Sequence, residues 1–345
     1  MIRSKILFVI LLMLVGGTTF SQELTEQEQK AFDMLANLSY ELGSSFGKEE
    51  KLYFKGEAYD APWKAKLEPL ESYVEVLNQI KANAQLETNI GKYGTYLNFR
   101  SDVATSKPHF DEVFRLFLAK ESVTKATGED VSLNSRRRSD VRSQGDGIYA
   151  SIIYQVKPDL TEEESLKGSI TLKGKVGDEF KTTLVTKGDV GKEFTAEGVK
   201  YKVIKIHHNL VVLEPLSEPE EDILDIRYEH VNAKGEKLVK MSKQEIEAAT
   251  GVKDDGPMKM SFTKSVMPRE IYNAFQEKPN LTLEEYKSTF KGMILNKVRE
   301  ALGNSNSEEK WSDLYIILHL NAPLDQLYFY ETVYKKEVDI TLDVK

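Results

Sequence analysis

The chain has 345 residues, no cysteine, and 55 Asp and Glu against 47 Lys and Arg, a formal net charge of −8. The acidic balance argues against nucleic acid, whose binding rests on neutralising phosphates with Lys and Arg. The lack of thiols excludes disulfide scaffolds, thiolate zinc sites, Cys nucleophiles and a lipid anchor built on cysteine. At roughly 100–200 residues per domain, this length corresponds to two or three domains.

Arg3 and Lys5 precede an unbroken apolar stretch, Ile6 to Val15, and Thr19-Phe20-Ser21 supplies small residues for a cut. This pattern predicts a secretory signal peptide over residues 1–21 and a mature chain from Gln22. The apolar run is too short for the roughly 20 residues that span a hydrocarbon core. No later stretch is long or apolar enough, so no transmembrane segment is expected in the mature chain.

Residues 22–127 read as a helix-rich domain. Thr25-Glu26-Gln27-Glu28 is a capping-box pattern, followed by Phe32, Leu35, Leu38 and Leu42 at helical spacing. Leu67, Leu70, Val74, Leu77 and Ile80 form a second amphipathic run. A third opens at Pro108 with Phe110, Val113, Phe114, Phe117 and Leu118. Short strands are expected around Tyr53 and ahead of Phe99. Residues 128–147, rich in Gly, Ser, Asp and Arg without apolar periodicity, read as a linker or exposed loop.

The period then changes to two. Over residues 148–216, alternating stretches such as Ile170, Leu172 and Val176 predict a small antiparallel β domain, with a hairpin turning at His207-His208-Asn209. An acidic, proline-containing joint leads to an α+β domain over 222–345. Leu224, Ile226 and Tyr228 alternate as a strand there. Ser242 to Glu245 and Thr282 to Glu285 open helices. Alternation around Ile316, then Leu327, Phe329 and Val333, then Ile340 and Leu342 marks the last strands. The expected class is α+β: a helix-rich N-terminal region followed by antiparallel β-sandwich-like units, immunoglobulin-like among the options, the last with inserted helices.

None of the stronger catalytic signatures is present: no G-x-S-x-G, no H-E-x-x-H, no phosphate-binding glycine loop and no EF-hand. The five histidines are dispersed. The adjacent His207 and His208 suit a solvated turn better than a shared ion, and His230 suits a partly buried, hydrogen-bonded strand position. No metal or cofactor is expected. The basic cluster Arg136, Arg137, Arg138 and Arg142 suits recognition of carboxylate or phosphate groups, as on an anionic polysaccharide. Tyr328, Tyr330 and Tyr334 share one strand parity, and such rings stack on sugars or anchor protein interfaces. Trp63 and Trp311 read as anchors of neighbouring elements.

These observations predict an exported bacterial envelope protein with a non-catalytic binding or scaffolding role, its partner an envelope protein or polysaccharide. The alternative is a secreted hydrolase of polysaccharide or peptide working through a carboxylate pair, which needs only two acids at the right separation.

Overall fold

The computed structural model describes residues 24–45, 51–91, 94–105, 107–135, 140–144, 147–161, 163–218, 226–251, 263–301 and 313–344. The expected signal peptide lies outside them. The chain begins with helix α1 (Glu26–Ser45), strand β1 (Phe54–Glu57), helix α2 (Leu70–Ala82), β2 (Gln85–Gly91) and β3 (Gly94–Val103). A four-residue helix α3 (Phe110–Val113) leads into β4 (Phe114–Lys125), β5 (Ser132–Ser135), β6 (Asp140–Gln144), β7 (Gly147–Lys157) and the long β8 (Leu166–Val185). Then come β9 (Glu193–Ala196), β10 (Val199–His207), β11 (Leu210–Pro215), β12 (Tyr228–Val231) and β13 (Lys237–Lys240). Helix α4 (Lys243–Thr250), strand β14 (Lys264–Pro268) and helices α5 (Arg269–Glu277), α6 (Leu283–Thr289) and α7 (Lys291–Ala301) precede β15 (Leu314–His319) and β16 (Gln326–Val344).

The result is a mixed α/β chain whose sheets are mostly antiparallel. It divides into two units that interleave in sequence: residues 1–59, 184–218 and 228–328 form one, and residues 60–183, 219–227 and 329–345 the other. This differs from domains laid end to end, because the sheets join strands far apart in the chain. In the first unit β11 pairs with β15, placing Leu213 opposite Ile316.

The first unit contains a sheet in the order β14-β15-β11-β10-β9. Its core joins Ala31, Phe32 and Ala36 of α1 to Ile271 and Phe275 of α5, Tyr286 of α6, Ile294 of α7, and Val212 and Ile317 of the sheet. Small residues let α1 approach closely. A Cβ on Gly43 would stand 2.1 Å from Cε2 of the Phe275 ring. Local capping fixes where the helices start. Thr25 and Glu28 bond reciprocally, as do Ser242 with Glu245 and Thr282 with Glu285, so free N–H groups of each first turn are satisfied by side chains. Strand β13 pairs with both β1 and β12, the latter across a turn in which Gly235 takes a positive φ of 80°.

In the second unit α2 buries Tyr73, Val76, Leu77 and Ile80. They share a core with Leu97 and Phe99 of β3, Ile152 and Tyr154 of β7, Ile170 and Leu172 of β8, and Ile340 of β16. Strands β2, β3, β7 and β5 form one sheet, with β6 also pairing to β7, while β16, β8 and β4 follow one another in a second.

Two expectations are corrected here. Residues 22–127 are not predominantly helical: the third amphipathic run ends as a helix at Val113, and Phe114 onward is strand β4, paired with β8 from Phe114↔Val176 to Lys125↔Leu166. Eleven paired residues of ladder outweigh a helical spacing of five apolar side chains, because each ladder bond satisfies backbone that a short helix would leave open. Nor is 128–147 a bare linker, since β5 and β6 both hydrogen-bond to β7. Polar composition suits strands that cover an edge as well as it suits a loop.

Candidate functional site

Tyr328 and Tyr330 on β16 are partly exposed, alternating with buried Leu327 and Phe329. The parity of burial then changes: Thr332 is buried, and Val333 and Tyr334 are partly exposed. Strand β8 makes the same change where buried Val176 is followed directly by buried Gly177. The two changes meet at Gly177, where an added Cβ would stand 2.2 Å from the Val333 carbonyl oxygen. Only glycine leaves room for that approach.

Beside this shift, within the second unit, the Tyr330 ring gathers three partners. Trp63 lies with its ring centroid 5.3 Å away, and Phe180 meets it edge-on at 6.1 Å. The Arg227 guanidinium lies over the ring at 5.1 Å. Trp63 is presented by a single 3₁₀ turn, Pro62–Lys64, in which Pro62 sits at the first turn and buried Ala61 roots the segment. Arg227 is oriented by two further bonds: Nη1 donates to the Glu112 carbonyl at 2.6 Å and Nη2 to Thr332 Oγ1 at 3.0 Å. Thr332 Oγ1 in turn donates to the same Glu112 carbonyl at 2.9 Å. Planar donors that also stack are an arginine property that lysine cannot copy. Trp63, Phe180, Arg227 and Tyr330 are all partly exposed, so the cluster is an aromatic surface braced from one side by a cation. Such surfaces stack against sugar rings or receive apolar and aromatic side chains. Around it, Lys335 pairs with Asp178 at 2.7 Å and Lys181 with Glu331 at 3.5 Å.

Of the residues expected to bind, Tyr330 is therefore placed in a cluster, together with Trp63. Arg136, Arg137 and Arg138 lie outside the described residues, and Arg142 stands on β6 with its Cα opposite Tyr149. Phe180 and Arg227 were not singled out by sequence. Arg227 carried only the signal of its alternation with Ile226 and Tyr228.

Several carboxylates are engaged in local structure. Every described carboxylate with a resolved shift lies below its ordinary range. Lys278 and the Thr282 cap hold Glu285 at about 2, Lys55 and the Ser242 cap hold Glu245 at about 2, and Lys192 with Thr186 holds Asp189 at about 2. Glu164 is lowered by the Thr161 N–H and by Lys125. A general acid for glycoside cleavage needs the opposite shift. His319 Nε2 lies 2.9 Å from Ser265 Oγ on the neighbouring strand, and burial alone pushes the imidazole down to about 4. Among the described residues no charged group contributes to that shift, whereas the base of a triad is oriented by a carboxylate.

Among the described residues no group of three or more His, Asp and Glu is placed to hold a metal ion, and no helix is long and apolar enough to cross a membrane. No family model matches the chain, and no curated protein or solved structure matches it either.

Proposed function

We propose that the chain is an exported bacterial envelope protein, built in part from β-sandwich-like units, with a non-catalytic binding or scaffolding role. The observation that carries this reading is the Trp63–Tyr330–Phe180 surface braced by Arg227, a partly exposed aromatic arrangement of the kind that anchors recognition. The signal-peptide pattern of residues 1–21 supports export, and the downward-shifted carboxylates favour binding over carboxylate-dependent hydrolysis. The partner is an envelope protein or a polysaccharide.

The test is capture of the tagged chain from Gln22 onward out of crosslinked envelope fractions, beside the Trp63→Ala and Phe180→Ala variants, with identification of co-purifying protein and retained polysaccharide. A partner recovered in stoichiometric amount with the parent chain and reduced at least tenfold with the folded variants is expected. Equal recovery with the folded variants would refute this surface as the site. Turnover of a polysaccharide or peptide by the purified chain would refute the non-catalytic reading.

A further inference from the structure

Three of the five histidines bear on one short connection, residues 320–325 between β15 and β16, all within the first unit. The turn between β10 and β11 holds it at two points. Leu320 N–H donates to the Asn209 carbonyl at 2.8 Å while Asn209 Nδ2 donates back to the Leu320 carbonyl at 3.0 Å, and Leu324 N–H donates to the His208 carbonyl at 3.1 Å. The β12–β13 hairpin holds it as well. Asn321 Nδ2 donates to the Leu238 carbonyl at 3.2 Å, Ala233 N–H donates to the Asp325 carboxylate at 2.8 Å, and Asp325 N–H donates to Nε2 of His230 at 3.3 Å. His319 stands at the other end of the connection, against Ser265.

His230 is 6% exposed. Its Nε2 accepts a backbone N–H, a role open only to an unprotonated ring nitrogen. Its Nδ1 has no hydrogen-bond partner among the described residues, and the Pro323 backbone favours the charged ring. A second proton must therefore go to Nε2, turning the acceptor of the Asp325 amide into a donor aimed at it. The charged groups on the surrounding elements are Asp325 on the connection, Glu229 of β12 paired with Lys237 of β13 at 2.8 Å, and Glu236 of the turn, which accepts from Asn232 Nδ2 at 2.7 Å. Asp325 alone among them acts on the ring.

We infer that His230 is an acid-sensitive latch: the neutral imidazole holds the Asp325 amide, and protonation breaks that bond and loosens the 320–325 connection on the β12–β13 hairpin. Burial pushes the ring down to about 4, with the Asp325 carboxylate and the Pro323 carbonyl opposing the shift. Opening returns the ring to its ordinary value near 6.5, so the open state gains the proton first as pH falls. For His230 alone, the opening equilibrium rises about 30-fold between about pH 8 and about pH 5.

Amide hydrogen exchange of the full chain at these two pH values, corrected for intrinsic exchange, reads this directly. Peptides covering 320–325 are expected to lose about 30-fold in protection while those of α5 and α6 hold theirs, and His230→Gln, which accepts a bond but takes no proton, removes the difference. Unchanged protection in the parent chain, or a loss that persists in His230→Gln, overturns the latch. Should His230→Gln fail to fold, ring nitrogen shifts of the parent chain decide: a titration midpoint below about 5.5 supports the latch, and one at or above it overturns it.

Discussion

Replacing Gly177 by alanine tests how β8 and β16 meet and how that meeting holds the Tyr330 cluster. The new Cβ would stand 2.2 Å from the Val333 carbonyl oxygen, 2.9 Å from the Val333 carbonyl carbon and 2.7 Å from Thr332 Cγ2. Two of these three atoms are backbone, so relief requires β16 to move. Overpacking of this kind costs about 1–3 kcal/mol. The same movement displaces Thr332, whose hydroxyl joins Arg227 to the Glu112 carbonyl, and loosening those bonds adds about 1 kcal/mol.

The expected loss for Gly177→Ala is thus roughly 2–4 kcal/mol, or a fall in Tm of about 2–4 °C for each kcal/mol in a domain of this size. Denaturant unfolding followed by Trp63 fluorescence, in a Trp311→Phe background, reports on the second unit. Gly91→Ala in β2 is the internal control. Among the described residues its Cβ would meet nothing closer than the Gly94 carbonyl oxygen at 4.0 Å, so alanine there is expected to be neutral or to stabilise by up to about 1 kcal/mol. A Gly177→Ala chain within about 0.5 kcal/mol of the parent would refute the close approach of the strands.

Arg227→Lys keeps the charge but cannot stack on Tyr330 while donating from two nitrogens; a loss of about 1–3 kcal/mol in the same unfolding assay is expected, and an unchanged midpoint would show the guanidinium geometry to be idle. His230 and His319, both pushed to about 4, bind protons more readily in the unfolded chain, so their contribution is lost as pH falls from about 6.5 to about 4, roughly 3 kcal/mol each, and urea midpoints measured across that window should fall accordingly. Ser242→Ala and Thr282→Ala each remove an N-cap, with an expected cost of about 1 kcal/mol and faster amide exchange in the first turns of α4 and α6. Glu245 and Glu285 are held at about 2, so their cap contributions are complete above the ordinary carboxylate range and are lost progressively as pH falls from about 4.5 to about 2; first-turn exchange, corrected for intrinsic exchange, that stays unchanged down to about pH 2 would contradict this.

What the sequence made legible was local. The three capping boxes at Thr25, Ser242 and Thr282 are written within four residues each, and all three form. The hairpin turning at His208-Asn209, with His208 at a φ of 52°, is likewise a short-range signal. Burial of His230 followed from its parity with Ile226 and Tyr228. Phe110, Val113, Phe114, Phe117 and Leu118 satisfy helical spacing equally locally, yet the last three are strand, and the pairing that decides it comes from β8, more than fifty residues further on. Periodicity states what a segment would do alone; a ladder contributed by a distant strand changes the comparison.

The candidate site was hidden for the same reason, and the reason bears on how it works. Trp63, Glu112, Phe180, Arg227 and Tyr330 come from five separate stretches of chain, and nothing in any one of them indicates the others. An aromatic surface assembled this way exists only when β8 and β16 are paired and Arg227 is bonded to Glu112. Its geometry is therefore inherited from the fold and not from a preformed local motif. A ligand that stacks on it meets rings whose ordering cost was met during folding, the condition under which a small surface binds tightly. It follows that Gly177→Ala, which touches none of the rings, should weaken capture of a partner in the fraction that remains folded, whereas Gly91→Ala should leave capture unchanged.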